Sequence, residues 1–296
     1  MIDANGDYRP QRQSRLEYHE VRGLRYAVHC WPGEGAETFF LLHGYGDCAP
    51  TFAPLVDALP RHWDIVAPDW RGFGDSEWTK IGYWFPDYLA DLDALLELKC
   101  PSHRTNLIGH SMGGNVAAFY AGIRPARVRR LALLEGFGLP DTRPADAADR
   151  YAKWLDQVRE SRPRRVYESA EQIAASLRRK YAELTPALAM FLARHWSCRE
   201  AEGWVLKSDP SHQWINPVLY RRNEAITCWQ RITAPVLIVS GANSPFAKGG
   251  MEFAAHLKSS GDEVVHEQLP NVGHMFHVQA PQLLADKLAD FFEESP

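Results

Sequence analysis

Ser111 stands in Gly109-His110-Ser111-Met112-Gly113, a G-x-S-x-G pentapeptide that directly follows the apolar run Leu107-Ile108 and directly precedes a helix-like segment, Asn115 to Gly122. Strand, tight turn, then helix is the setting of a nucleophile elbow, in which a sharp turn presents a serine hydroxyl. Gly109, Gly113 and Gly114 suit such a turn, because residues without a Cβ fit where backbones crowd. A serine hydroxyl is a poor nucleophile at neutral pH, so it needs a base within hydrogen-bond reach and a carboxylate to orient that base. The chain order expected with this elbow is serine, acid, histidine. His274 fits the last place, on a loop Asn271-Val272-Gly273-His274-Met275 between a final strand candidate and the last helix. Its rival is His277, three residues on, which begins the approach to that helix. His110 flanks the nucleophile but, inside the turn, is read as structural.

The elements that must position these residues recur as short apolar runs separated by helix-length segments, the pattern of a mostly parallel sheet with helices on both faces. Strand candidates are Thr38–Leu42, Ile65–Ala67, Asn106–Ile108, Leu131–Leu134, Val236–Val239 and Val264–Leu269. Leu16–Val21 and Leu24–Cys30, joined by Arg22-Gly23, read as an antiparallel hairpin ahead of them. Helices are expected at Ala53–Leu59, Tyr88–Leu98, Asn115–Gly122, Gly250–Ser259 and Pro281–Glu294. Between Phe137 and Cys228 the rhythm breaks into consecutive helices, Tyr151–Val158, Glu171–Tyr181 and Pro186–Trp196, with no good strand. The chain therefore divides into a core of residues 1–136 and 229–296 and an inserted helical lid of residues 137–228. Trp154, Trp196, Trp204 and Trp214 lie in that insertion, where they either line an apolar pocket or dock the insertion onto the core.

With 296 residues, 45% of them hydrophobic and 24% charged, the chain has the composition of an ordinary globular protein with a sizeable core. A formal net charge of −4 gives no basic face for nucleic acid. The short clusters Arg127, Arg129, Arg130 and Arg162, Arg164, Arg165 read as solvated surface. Cys30, Cys48, Cys100, Cys198 and Cys228 lie far apart with no C-x-x-C pair, which speaks for a reducing compartment and against a disulfide framework or a zinc site. The polar Met1 to Arg15 segment lacks the apolar stretch of a signal peptide, and no run approaches the ~18 apolar residues of a membrane span. The expectation is a cytoplasmic protein, monomer or homodimer, without membrane or nucleic-acid partners.

Five segments in order and spacing make the chain resemble the α/β-hydrolase superfamily over nearly its whole length. They are His43-Gly44, Asp69-Trp70-Arg71-Gly72-Phe73-Gly74-Asp75-Ser76, Gly109-His110-Ser111-Met112-Gly113-Gly114, Pro235 to Gly241, and Gly273-His274. The resemblance implies an eight-stranded α/β core, a helical cap inserted after the sixth strand, and acyl-transfer chemistry that needs no cofactor or metal. Members usually carry an aspartate a few residues into the loop after the seventh strand, but here that loop reads Gly241-Ala242-Asn243-Ser244 and holds no carboxylate. Some branches of the family place the acid one strand earlier, where this chain has Glu135 in Leu133-Leu134-Glu135-Gly136-Phe137. An ionisable group ending an apolar strand is costly unless partnered, so Glu135 has a physical reason to meet His274. The oxyanion hole uses backbone N–H groups, expected at Met112 and at Tyr45. His43, Asp69 and Arg71 are read as bracing their loops.

The leading expectation is a serine hydrolase, carboxylesterase-like, cleaving a small acyl substrate through Ser111, His274 and Glu135. Dehalogenases and epoxide hydrolases of this fold use an aspartate nucleophile, which Ser111 excludes. Carbon–carbon bond hydrolases and cofactor-free haloperoxidases keep the serine and remain open, as does a ligand receptor with little turnover, suggested by the absent aspartate.

Overall fold

The computed structural model describes residues 2–3, 6–35, 37–160, 163–257 and 264–293. Arg162 of the second basic cluster and Ser259 and Glu294, the expected ends of two helices, lie outside these residues.

Eight strands form one sheet: β1 (Arg15–Val21), β2 (Leu24–Trp31), β3 (Thr38–Leu42), β4 (Asp64–Pro68), β5 (Thr105–His110), β6 (Val128–Leu134) and, after the insertion, β10 (Val236–Gly241) and β11 (Val264–Leu269). Their spatial order is β1-β2-β4-β3-β5-β6-β10-β11. The first two pairings, β1 with β2 and β2 with β4, are antiparallel and the rest parallel. Arg22 and Gly23 both have positive φ, 49° and 77°, the geometry in which a two-residue hairpin matches strand twist.

The central strands are buried end to end, as a parallel sheet covered on both faces requires. Successive residues feed opposite faces: Phe40, Leu42, Leu107, Leu133 and Ile238 enter one core cluster, while Phe39, Leu41, Ile108, Leu134 and Val239 enter the other. Around the sheet lie α1 (Ala53–Ala58), α2 (Phe85–Lys99) and α3 (Met112–Ile123), and after the insertion α8 (Gly249–Ala254), α9 (Phe276–Gln279) and α10 (Pro281–Glu293). Helix α3 starts three residues earlier than the sequence reading had it, because Gly113 and Gly114, poor helix formers, open its first turn.

The insertion corrects one expectation. Besides α4 (Ala147–Arg159), α5 (Ala170–Lys180), α6 (Pro186–Trp196) and α7 (Arg222–Trp229), it contains a small antiparallel sheet of β7 (Val166–Tyr167), β8 (Ser197–Glu200) and β9 (Gly203–Leu206), ordered β7-β9-β8. Strands of two to four residues are too short to print an alternation, and β8 continues directly from α6, so sequence periodicity passes over them. A third apolar cluster, with Ile173, Leu177, Leu184 and Leu192, packs the insertion onto Ala53, Met275 and Val278 of the main unit. No helix of the described residues is long and apolar enough to cross a membrane.

The strand order reverses between β3 and β5, the point at which an open α/β sheet leaves a crevice beyond its carboxyl ends. The loop after β3 and the turn after β5 meet there without room to spare. A methyl group on Gly113 would overlap the backbone carbonyl of Leu42, and one on Gly44 would come within 3.1 Å of the Ser111 Cβ. Because the obstacle at Gly113 is backbone, Gly113→Ala is expected to cost about 3 kcal/mol or to prevent folding. Urea unfolding checks this, and a variant as stable as wild type would contradict the close approach.

Candidate active site

Ser111 joins β5 to α3 with φ 52° and ψ −115°, a conformation that L-residues avoid unless their surroundings impose it. Two backbone bonds impose it here. The Ser111 N–H donates to the Leu134 carbonyl at the end of β6 (2.8 Å), and its own carbonyl accepts from Asn115 in the first turn of α3 (3.0 Å). Met112, as the first residue of α3, carries one of the N–H groups that a helix leaves without an internal partner.

Glu135 follows β6 with φ 56°, a second strained non-glycine residue beside the first. Its side chain is fully buried, and every group around it donates. Oε1 accepts from the Gly241 N–H (2.8 Å), while Oε2 accepts from the Ser244 hydroxyl (2.6 Å) and from His274 Nδ1 (2.5 Å). With its proton held on Nδ1 by an acceptor, the His274 imidazole carries its lone pair on Nε2, the tautomer a general base needs. The His274 ring retains partial access to solvent and packs against Phe246, with centroids 4.9 Å apart.

His110, the last residue of β5, is buried and donates from Nε2 to the His274 carbonyl (2.9 Å). This bond, with ring centroids 4.6 Å apart, ties the His274 loop to the residue that precedes Ser111. His277 occupies a different environment: it is fully buried beside Phe52 and His110, 3.8 Å from Asp47, and it is His274 that reaches Glu135.

The loop after β3 is held rigidly. His43 Nδ1 donates to the Gly44 carbonyl (2.8 Å), its Nε2 accepts from Trp70 N–H (2.9 Å), and the Trp70 indole donates to the His43 carbonyl (3.0 Å). Asp69 accepts from the backbone of Ala49 and Asp75, and Arg71 forms a two-pronged ion pair with buried Asp91. The Tyr45 side chain is half exposed and packs edge-on against Phe73 and His212. Next to it lies a cavity of about 240 Å³ lined by Tyr45, Asp47 and Phe73 from the main unit and by Tyr181, Trp196 and Leu206 from the insertion. Trp196 thus borders a pocket and also donates to Asp47 Oδ1 (2.7 Å), whereas Trp154 docks against Trp84. A larger, open depression of about 640 Å³ lies under the N-terminal segment, among Tyr8, Asp57 and Thr185, and none of the residues above borders it.

Sequence reasoning missed Ser244 and Asp47. Ser244 was noticed only as the wrong residue at the usual acid position, yet its hydroxyl holds the acid that arrives from β6. The signal was present in the loop itself, since a serine replacing an aspartate beside a displaced carboxylate is well suited to donate to it. Asp47 lies three residues after Gly44 and gathers the Cys48 N–H, the Thr51 hydroxyl and the Trp196 indole on one oxygen, a convergence with no local pattern.

The family model for the alpha/beta hydrolase fold matches residues 37–281. The chain belongs to this family. A serine hydrolase-like protein of Danio rerio is 27% identical over 294 residues, covering 95% of this chain and 88% of the relative. The 3-hydroxybutyrate-oligomer hydrolase of Cupriavidus necator is 29% identical over 263 residues, 84% of this chain and 87% of the relative. Among solved structures, the thioesterase domain from the curacin biosynthetic pathway superposes with a TM-score of 0.82 at 20% identity, over 93% of this chain and 99% of its own, a likeness of fold.

Burial sets the protonation of five further histidines in this α/β hydrolase. It pushes His29 and His195 down to about 4 and His43, His212 and His277 down to about 3, each far below the ~6.5 of an exposed imidazole. Between those values the unfolded chain binds protons that the folded chain refuses, so stability present above pH ~6.5 is lost as pH falls. Asp47 and Asp69, raised by burial to about 6 and about 7, act in the opposite sense. Five imidazoles outweigh two carboxyls, and the melting temperature is expected to drop between pH 6.5 and pH 4.5. A rise over that interval would contradict the neutral, buried state of the histidines.

Proposed function

We propose that this chain is a serine hydrolase that cleaves a small carboxylic ester or related acyl compound through Ser111, His274 and Glu135, with the insertion over residues 137–228 acting as a cap. His274 Nε2 takes the proton of the Ser111 hydroxyl as Oγ attacks the acyl carbonyl, giving a tetrahedral oxyanion. The Tyr45 and Met112 N–H groups receive that oxyanion, an arrangement in which one donor typically accounts for ~3 kcal/mol of transition-state stabilisation. The imidazolium then hands its proton to the leaving alkoxide, the carbon–oxygen bond breaks, and an acyl-enzyme remains. Water, deprotonated by the same imidazole, releases the carboxylic acid and restores Ser111. Glu135 stays ionised throughout and stabilises the imidazolium.

The observation that carries this reading is the 2.5 Å contact between His274 Nδ1 and Glu135 Oε2 next to a strained serine elbow. The 240 Å³ cavity reaches the site through Tyr45, with neither Ser111 nor His274 in its lining, and falls below the ~300–1,000 Å³ of pockets for drug-sized ligands, which favours a short acyl or alcohol group. The receptor alternative drew on the lack of a carboxylate in the Gly241–Ser244 loop, and Glu135 answers it from another strand.

Wild-type protein is expected to hydrolyse p-nitrophenyl acetate and to react with a fluorophosphonate probe, and Ser111→Ala to do neither. Glu135→Gln should lower kcat by 10³-fold or more, through loss of the correct imidazole tautomer. Ser244→Ala, which removes one donor to the carboxylate, should lower kcat by about tenfold, and Asn243→Ala should leave it unchanged. Wild-type inertness toward both reagents would favour a receptor, and full activity of Glu135→Gln would overturn the acid assignment.

A further inference from the structure

Behind the serine elbow, Asp47, His110 and His277 converge so that one ligand-type atom from each lies within 4.8 Å of the other two. All three are buried, with relative exposures of 4%, 2% and 0%. Among the described residues, Asp47 Oδ2, His110 Nδ1 and both ring nitrogens of His277 have no hydrogen-bond partner. A buried polar atom without a partner carries a full desolvation penalty, so three of them, one from each residue, meeting in one place point to a shared guest.

The chemistry of that guest follows from what the three side chains can still do. Asp47 is fixed through Oδ1 by Cys48, Thr51 and Trp196, which leaves Oδ2 facing His277 Nε2 at 3.8 Å. His110 must carry its proton on Nε2, because the His274 carbonyl opposite can only accept, and Nδ1 therefore presents a lone pair. A histidine whose far ring nitrogen donates to a backbone carbonyl is oriented as metal-bound histidines are. Burial holds both imidazoles well below their ordinary pKa, in the neutral form that coordinates metal.

We propose that Asp47, His110 and His277 form a buried site for one divalent transition ion of the zinc class, with water as the remaining ligand. Two imidazole nitrogens and a carboxylate oxygen suit such an ion better than calcium or magnesium, which select all-oxygen sets. Bonds of about 2.0–2.2 Å require the donors to draw together by roughly 1 Å on binding. Its ligands are other residues than Ser111, Glu135 and His274, with His110 adjoining Ser111 and bonded to the His274 carbonyl, and its existence does not depend on the hydrolytic reading.

The test is equilibrium dialysis of the metal-stripped full chain against Zn²⁺, with bound metal measured by mass spectrometry and stability by thermal melting. The expected result is one ion per chain with a raised melting temperature, and at least about tenfold weaker binding in His277→Gln and in Asp47→Asn, each with an unchanged far-ultraviolet circular dichroism spectrum. Should one variant misfold, the other still reports on the site, and Co²⁺ added to wild type should give the visible absorption of a tetrahedral nitrogen–oxygen set. No zinc retained by wild type, or wild-type affinity in the folded variants, overturns the proposal; the first outcome would make the cluster an internally hydrated pocket.

Discussion

The buried carboxylate of Glu135 is the constraint around which the rest of this molecule is arranged. It leaves the end of an apolar strand in a left-handed backbone conformation and enters a space where an unpartnered charge would be prohibitive. The Gly241 amide, the Ser244 hydroxyl and the His274 imidazole together answer that cost, and they come from two separate loops at the carboxyl edge of the sheet. One side chain therefore fixes β6, the end of β10 and the His274 loop relative to each other. Removing any donor would leave the remainder ordered around an incompletely compensated group, which is why the histidine and the serine of the opposite loop belong to one electrostatic unit.

The sheet places that unit at the carboxyl ends of β6, β10 and β11, beside the reversal between β3 and β5 from which the β3 loop and the elbow arrive. Close backbone approach sets the remaining tolerance: Gly44 against Ser111, Gly113 against Leu42, and Gly109 against Gly114 leave no space for side chains. The positive φ of Ser111 and Glu135 is maintained by this packing, so local strain and global fold are two aspects of one arrangement.

Much of this could be read from the chain before any coordinates. Buried parallel strands advertise themselves as continuous apolar runs, and Thr38–Leu42 was delimited to the residue, as was the more exposed edge strand Val264–Leu269. The pentapeptide around Ser111 and the glycine before His274 are short-range signals of turns, and they marked the loops correctly. What escaped was non-local or too short to be periodic. The three strands of the insertion pair only with each other over two to four residues, and Ser244 and Asp47 owe their roles to partners more than a hundred residues away. The start of α3 was missed for a local reason, because its first turn is built from glycines that the elbow demands and a helix does not favour.

The seam between insertion and main unit is fastened on two flanks. On one, Asp209 is bound by its backbone to Gly72 and by its carboxylate to the Tyr83 hydroxyl, and two residues away Lys207 pairs with Asp75. On the other, the N-terminal segment bridges the two through Tyr8 and the Gln11 and Arg12 amides on Asp57, and through an Arg194–Asp7 ion pair at the surface. Counterions screen such a surface pair beyond ~8 Å at physiological ionic strength and weaken it further as salt rises. Saline conditions thus weaken one ion pair on each flank, and the Asp209 hydrogen bonds and the Tyr8–Phe191 ring contact are left to keep the seam closed.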